Sequence, residues 1–372
     1  MGFRTDVVMR VGSLFSGVGG LDMAVERVFN ATTAWQCEFD SEPSRALAKH
    51  WPGVPNFGDV TAVDWRDVEQ VDVLCGGFPC QDVSIAGKHR GLKDGTRSGL
   101  WSYMAAAIDY LLPSFVVIEN VRGLLSAEAH RDVEFRDATV GAGVNGPLLR
   151  AAGAVLGDLA DLGYDARWKV VAAADAGAPH KRRRVFIVAY PSGRSVAELA
   201  RGVIGKELIP GDLPQDANAA LLATPQARDS KGVPKDGFNN GNLPRDILNL
   251  VAQREDAVLL STPLARDHKG TPGFKGSLPV DVIEASEDFG RFESAVRHWE
   301  KLTRPAPPAA IGAHRAGGRA RVNPAFAEWM MGWDEGHVTD VGLGRIPTLK
   351  AIGNGVVPQQ AELALRTLLA DA

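Results

Sequence analysis

Val7-Val8-Met9-Arg10-Val11-Gly12-Ser13-Leu14-Phe15-Ser16-Gly17-Val18-Gly19-Gly20-Leu21 runs from an apolar strand, through a glycine-rich turn, into the helix-like spacing of Leu21–Phe29. Glycines at such a turn let the backbone pass close to a bound ligand. Further apolar runs near Ala34–Glu38, Val71–Cys75, Phe115–Glu119 and Arg184–Tyr190 read as strands. Between them, Gly99–Leu112 and Leu148–Leu162 carry amphipathic helix spacing. Alternation of this kind predicts an α/β fold, a mostly parallel sheet with helices on both faces.

After Tyr190 the texture shifts to proline, glycine, aspartate and asparagine until about Arg319, which predicts a smaller, loop-rich module. It holds a duplicated unit, residues 221–247 and 259–282, in which Thr224-Pro225…Ala227-Arg228-Asp229…Lys231-Gly232 recurs as Thr262-Pro263…Ala265-Arg266-Asp267…Lys269-Gly270. Two copies are too few for a solenoid. Beyond the turn residues Gly353 to Pro358, Ala361–Leu369 reads as a helix returning to the first domain.

The 372 residues are 45% hydrophobic and 23% charged, enough to bury a large core in two domains. No apolar run approaches membrane-spanning length and Met1 to Arg10 lack a secretory core, so a cytoplasmic protein is expected. Cys37, Cys75 and Cys80 form neither a disulfide framework nor a zinc pattern, and no metal is expected. The formal charge of -4 conceals basic clusters at Lys88–Arg97, Lys181–Arg184 and Arg297–Arg321.

Four strand ends carry candidate chemistry. The glycine turn serves nicotinamide, flavin and S-adenosylmethionine enzymes alike. Glu38 suits ribose hydroxyls or is a solvated strand-end charge; Asp59, before Val60, is a second ligand or an Asx turn. In Cys75-Gly76-Gly77-Phe78-Pro79-Cys80-Gln81-Asp82-Val83-Ser84, Cys75 lies within the strand as a small hydrophobe. Cys80 sits beyond it, ahead of Lys88, His89, Arg90, Lys93 and Arg97, a setting that favours a thiolate. Glu119 ends an apolar strand as a site carboxylate or a salt-bridge partner. Period-two alternation would put His180, Arg182 and Arg184 on one face of the next strand.

This series, in this order, resembles the cytosine-C5 DNA methyltransferases; Arg321-Val322-Asn323-Pro324, Glu328 to Gly332 and Gly353-Asn354-Gly355-Val356 extend the resemblance to the far end of the chain. It implies a Rossmann-like S-adenosylmethionine-dependent domain from residues 1–195 and 321–372, and a target-recognition domain from 196–320. The cofactor site would comprise Phe15, Ser16, Gly17, Gly19, Gly20, Glu38, Phe39, Asp59, Val60, Leu100 and Asn354. Cys80, Glu119, Arg182 and Arg184 would be catalytic, with Cys80 adding to C6 of a cytosine flipped out of the duplex. Gln81, Ser84, Lys88, Arg90 and Arg97, with Arg228, Lys231, Arg266 and Lys269, would contact double-stranded DNA. His180 stands where the family carries glutamine. A monomer is expected, with a cognate restriction endonuclease as a further partner; an RNA cytosine methyltransferase of the same chemistry is the alternative reading.

Overall fold

The computed structural model describes residues 8–79, 99–125, 128–130, 148–196, 199, 289, 293–311 and 321–370. In chain order these form β1 (Met9–Leu14), α1 (Gly20–Phe29), β2 (Ala31–Cys37), α2 (Ser41–His50), β3 (Val73–Gly76), α3 (Leu100–Leu111) and β4 (Phe115–Val121). The short pair β5 (Glu128–His130) and β6 (Leu148–Arg150) precedes α4 (Ala151–Asp161), β7 (Tyr164–Val171) and β8 (Arg184–Pro191). After these come α5 (Glu293–Leu302), β9 (Ala310–Ile311), β10 (Arg321–Val322), α6 (Pro324–Met330), α7 (Arg345–Asn354) and α8 (Pro358–Ala370).

The main sheet has the order β2-β1-β3-β4-β8-β7. β2, β1, β3 and β4 are parallel neighbours, whereas β8 runs antiparallel to both β4 and β7. The sheet is thus mostly parallel, as the sequence pattern predicts, and β8 is the one reversed strand among those described, which that pattern could not mark. Strand direction leaves no trace in hydropathy, because a strand buried on both faces is apolar whichever way it runs. β7 went unrecognised because it is an edge strand with Asp165, Lys169 and a half-exposed Trp168. α2 buries only Ala46 and Leu47, so its apolar spacing is faint.

Side chains alternate between two cores, one on each face of the sheet. Val73, Cys75, Phe115, Val117, Phe186 and Val188 pack with α1 and α8, through Val25, Phe29, Ala364 and Leu368. Leu74, Val116, Ile118 and Ile187 pack instead with α3 and α4, through Met104, Ile108, Val155 and Leu159. The C-terminal helix thus completes the sheet's first layer, and Arg27 binds Glu362 at 2.7 Å along its edge.

A third core joins α5, α6 and α7 through Trp299, Phe326, Trp329 and Leu349. It crosses the expected domain boundary at 320/321, where β9 pairs antiparallel with β10. α6 starts where Asn323 Oδ1 accepts from Ala325 N at 3.1 Å and Pro324 takes the first turn. Its Glu328 is fully buried and accepts from the backbone N–H groups of Gly336, Val338 and Thr339 and from the Thr339 hydroxyl, so one carboxylate shapes the 336–339 turn. Beyond it, Trp333 wedges against the start of α1. A Cβ on Gly20 would collide with the Val356 carbonyl oxygen and also crowd Trp333 Nε1, and one on Gly355 would collide with the Trp333 ring, so both positions need glycine.

Asp22 of α1 is buried between β1 and β2, accepting from Ser13 Oγ at 3.0 Å and Gln36 Nε2 at 2.9 Å. Burial pushes its carboxyl up to about 6 from 3.8. Its ionisation therefore opposes folding fully above pH 6, progressively less as pH falls, and not at all below about 4. Asp22→Asn removes the charge while its Oδ1 still accepts from Gln36 Nε2 and its Nδ2 donates to Ser13 Oγ, which becomes the acceptor. Urea titrations should show this variant more stable than wild type at pH 8, by at most about 3 kcal/mol, with the advantage gone at about pH 4. A constant difference across that range would refute the assignment.

Candidate active site

The carboxyl ends of β1 and β2 and the turn after β1 form one lobe of the site. Phe15 has φ +54°, a left-handed conformation that a bulky residue rarely adopts, and its N–H donates to Cys37 O at 2.8 Å. Gly17 follows at φ +57° and Gly19 at +82°. Gly17 N donates to Glu38 Oε2 at 2.8 Å, and Asp40 N to Glu38 Oε1 at 2.8 Å. Burial pushes the Glu38 carboxyl up while these two amides pull it down. Both carboxylate oxygens keep a lone pair for a ligand hydroxyl.

A Cβ on Gly17 would meet nothing within 4 Å, so space lies open beside the turn. Phe39, 75% exposed, follows Glu38. Unsupported, such a ring is costly to leave in water; stacked on a planar heterocycle it is not. Gly17, Glu38 and Phe39 together fit a nucleoside: an open backbone cradle, a hydroxyl acceptor and an aromatic face. Ser16 is committed elsewhere, its Oγ donating to Ser13 O at 3.2 Å.

The second lobe lies at the ends of β3 and β4. Glu119 is 8% exposed on β4, and Arg184 Nε stands 2.8 Å from its Oε1. The antiparallel direction of β8 explains the pairing: Val121 is in register with Arg184, so the first residue of β8 meets the last turns of β4 at the ligand edge. The pair is a charge contact without an aligned hydrogen bond, leaving Glu119 Oε1 free of hydrogen-bond donors among the described residues. Gly77 closes over the same carboxylate, where a Cβ would lie 3.1 Å from Glu119 Oε2. Asn120 Nδ2 donates to Phe78 O at 2.9 Å and fixes the path of the chain two residues before Cys80.

Cys80 itself, with Gln81, Ser84, Lys88, Arg90, Arg97, Arg228, Lys231, Arg266 and Lys269, lies outside the described residues, as does the duplicated unit. Among the expected cofactor residues, Val60 is buried and Leu100 half-buried at the start of α3. Asp59 Oδ1 accepts from Thr61 N at 2.9 Å and Thr61 Oγ1 at 2.8 Å, the Asx-turn alternative. Asn354 is exposed at the end of α7.

His180, Arg182 and Arg184 do not share a strand face, because β8 begins only at Arg184. Arg182 is buried with φ +23°, and its guanidinium donates to Gly353 O at 3.3 Å and to Gly355 O, turned toward the Asn354 turn. His180 Nε2 meets Met330 O at 3.0 Å, and burial pushes its pKa down to about 3. A neutral imidazole donating there does what a glutamine amide could do.

Residues that sequence patterns did not single out hold the site. Asn56 Oδ1 accepts from Glu38 N at 2.9 Å and its Nδ2 donates to Glu38 O at 3.2 Å, clamping the backbone at Glu38. Only its place in the turn after α2 could have marked it. His337 Nε2 contacts Val18 O at 2.7 Å while stacking 4.0 Å from His50, which braces the glycine turn from behind. Among the described residues, no group of three or more His, Cys, Asp or Glu could hold a metal ion, and no helix is long and apolar enough to cross a membrane.

Comparison with known proteins places this geometry. The chain is 33% identical over 179 residues to Type II methyltransferase M.NlaIV of Neisseria lactamica, covering 47% of this chain and 39% of that one. It is 32% identical over 177 residues to M.NgoBI of Neisseria gonorrhoeae, covering 48% and 49%. The matched stretch thus spans less than half the length of either relative. The Dnmt2 methyltransferase of S. pombe shares the fold at 14% identity, with a TM-score of 0.53 over 98% of this chain and 99% of that one. The family model for C-5 cytosine-specific DNA methylase matches residues 9–239, more than half of the sequence. With the glycine turn after β1 donating to Glu38 and a glutamate–arginine pair at the neighbouring strand ends, the chain belongs to the C-5 cytosine-specific DNA methylase family.

Proposed function

We propose that this chain methylates carbon 5 of a cytosine in double-stranded DNA. The observation that carries the reading is the Glu119–Arg184 pair, a carboxylate and a guanidinium held at one strand edge beside the chain that leads to Cys80. Cytosine presents a matching set of groups, with N3 and an exocyclic amine on one edge and O2 beside them.

Phe15, Gly17, Glu38 and Phe39, with Asn354, would hold S-adenosylmethionine, which supplies an electrophilic methyl group. The Cys80 thiolate would add to C6, forming a carbon–sulfur bond and moving an electron pair toward C5. Carrying a proton, the Glu119 carboxyl would donate to N3 and accept from the amine, offsetting the negative charge that builds on the ring. Arg184 would hold O2, positioning the base and stabilising that charge. After C5 gains the methyl group, loss of its proton returns electrons to the ring and expels the thiolate. Arg182, buried and close enough to Arg184 and Glu119 to feel both charges, would assist Arg184.

The base must leave the stack to reach this edge, at a cost of a few kcal/mol. Gln81, Ser84, Lys88, Arg90 and Arg97 would close over the extruded nucleotide and its phosphates. Residues 196–320, with Arg228, Lys231, Arg266 and Lys269, would read the target sequence. The enzyme would act as a monomer in the cytoplasm, and the Type II relatives support pairing with a cognate endonuclease.

Duplex DNA in which 5-fluorocytosine replaces cytosine tests the chemistry, because the fluorine at C5 cannot leave as a proton does. With S-adenosylmethionine it should trap a denaturant-stable protein–DNA adduct that Cys80→Ala abolishes. An adduct that survives Cys80→Ala, or labelling of tRNA but not DNA by methyl-labelled donor, would overturn the reading. Glu119→Gln should lower the single-turnover methylation rate about 100- to 1,000-fold with little change in donor affinity; an unchanged rate would remove Glu119 from the pocket.

A further inference from the structure

We propose that Gln360 is a positioning residue for the base pocket, holding the segment that presents Arg184. The inference rests on the function proposed above but concerns a residue that touches neither substrate. Gln360 lies in the first turn of α8 and is wholly buried. Its Nε2 donates to two carbonyls from different parts of the chain, Val171 O at 2.8 Å, where β7 ends, and Arg182 O at 2.7 Å. Both N–H groups of the amide are committed, and no apolar side chain could supply either bond.

The place of this grip gives it a functional consequence. Arg182 has φ +23°, a conformation a non-glycine residue keeps only where its surroundings impose it. Here they impose it from two sides: Gln360 holds the Arg182 carbonyl, and the Arg182 guanidinium is anchored on the carbonyls of Gly353 and Gly355. Two residues further on, β8 begins and Arg184 Nε stands 2.8 Å from Glu119. A shift of the Arg182 carbonyl is therefore passed through two peptide units to the guanidinium that would hold cytosine O2. The Asn354 turn keeps its own anchor, the Arg182 side chain, so loss of Gln360 acts on the base pocket more than on the donor site.

Three chains decide the matter: wild type, Gln360→Leu and Gln360→Glu. Each is assayed with methyl-labelled S-adenosylmethionine and plasmid DNA from a host lacking cytosine methylation, with calorimetric S-adenosylhomocysteine affinity and melting temperature measured beside it. Gln360→Leu should lower kcat at saturating donor and DNA about 10- to 100-fold, the scale of an ångström's misplacement. Its S-adenosylhomocysteine affinity should stay near the wild-type value. Gln360→Glu offers no donor when ionised and one when protonated, so its deficit relative to wild type should shrink as pH falls from about 8.5 to about 6.

A wild-type kcat in Gln360→Leu overturns the proposal, and so does a loss of S-adenosylhomocysteine affinity as large as the loss of kcat. Should Gln360→Leu fail to fold, Gln360→Glu decides alone: a deficit independent of pH overturns the proposal. A wild-type chain that methylates no DNA overturns the proposed function instead, a result distinct from each of these.

Discussion

The ion pair between Arg184 and Glu119 exists because β8 runs against its neighbours. In an all-parallel sheet, the residue that opens a strand lies at the edge opposite the ligand. Reversing one strand brings that residue to the edge where β1, β2, β3 and β4 end. The reversal then requires β8 to be entered from the ligand side, and the chain from Ala172 to Arg183 does so by a path held at His180, Arg182 and the Arg182 carbonyl.

Those holds come from the last fifth of the sequence. Met330, Gly353, Gly355 and Gln360 bind the entry to β8, while Trp333, His337 and Val356 press on the glycine turn after β1. The C-terminal segments therefore serve both lobes, the cradle that fits a nucleoside and the pair that fits a base. α8 does this while filling the first sheet layer, so its burial and its polar contacts act in the same direction.

Much of this was legible in the sequence because burial and chain turns leave local marks. The apolar run Phe115–Ile118 announced a strand buried on both faces, and Gly17 and Gly19 announced the turn from strand to helix. Glu38 and Glu119 were legible as strand-end carboxylates, but neither the Gly17 amide nor the Arg184 guanidinium was legible as a partner, since contacts between distant segments have no local signature. The period-two reading of His180, Arg182 and Arg184 failed because alternation applies only within a strand, and the strand starts at the third of them. Asp59 forms the Asx turn through Oδ1. Asn56 and Gln360 were invisible, because the importance of a side-chain amide lies in which carbonyls and amides surround it in the fold.

The identity of the product tests the whole scheme most directly. DNA exposed to the purified chain and methyl-labelled S-adenosylmethionine can be digested to nucleosides and resolved by mass spectrometry. 5-Methyl-2′-deoxycytidine is the expected labelled nucleoside. Label in N4-methyl-2′-deoxycytidine or in N6-methyl-2′-deoxyadenosine would contradict a pocket built to activate carbon 5 of cytosine.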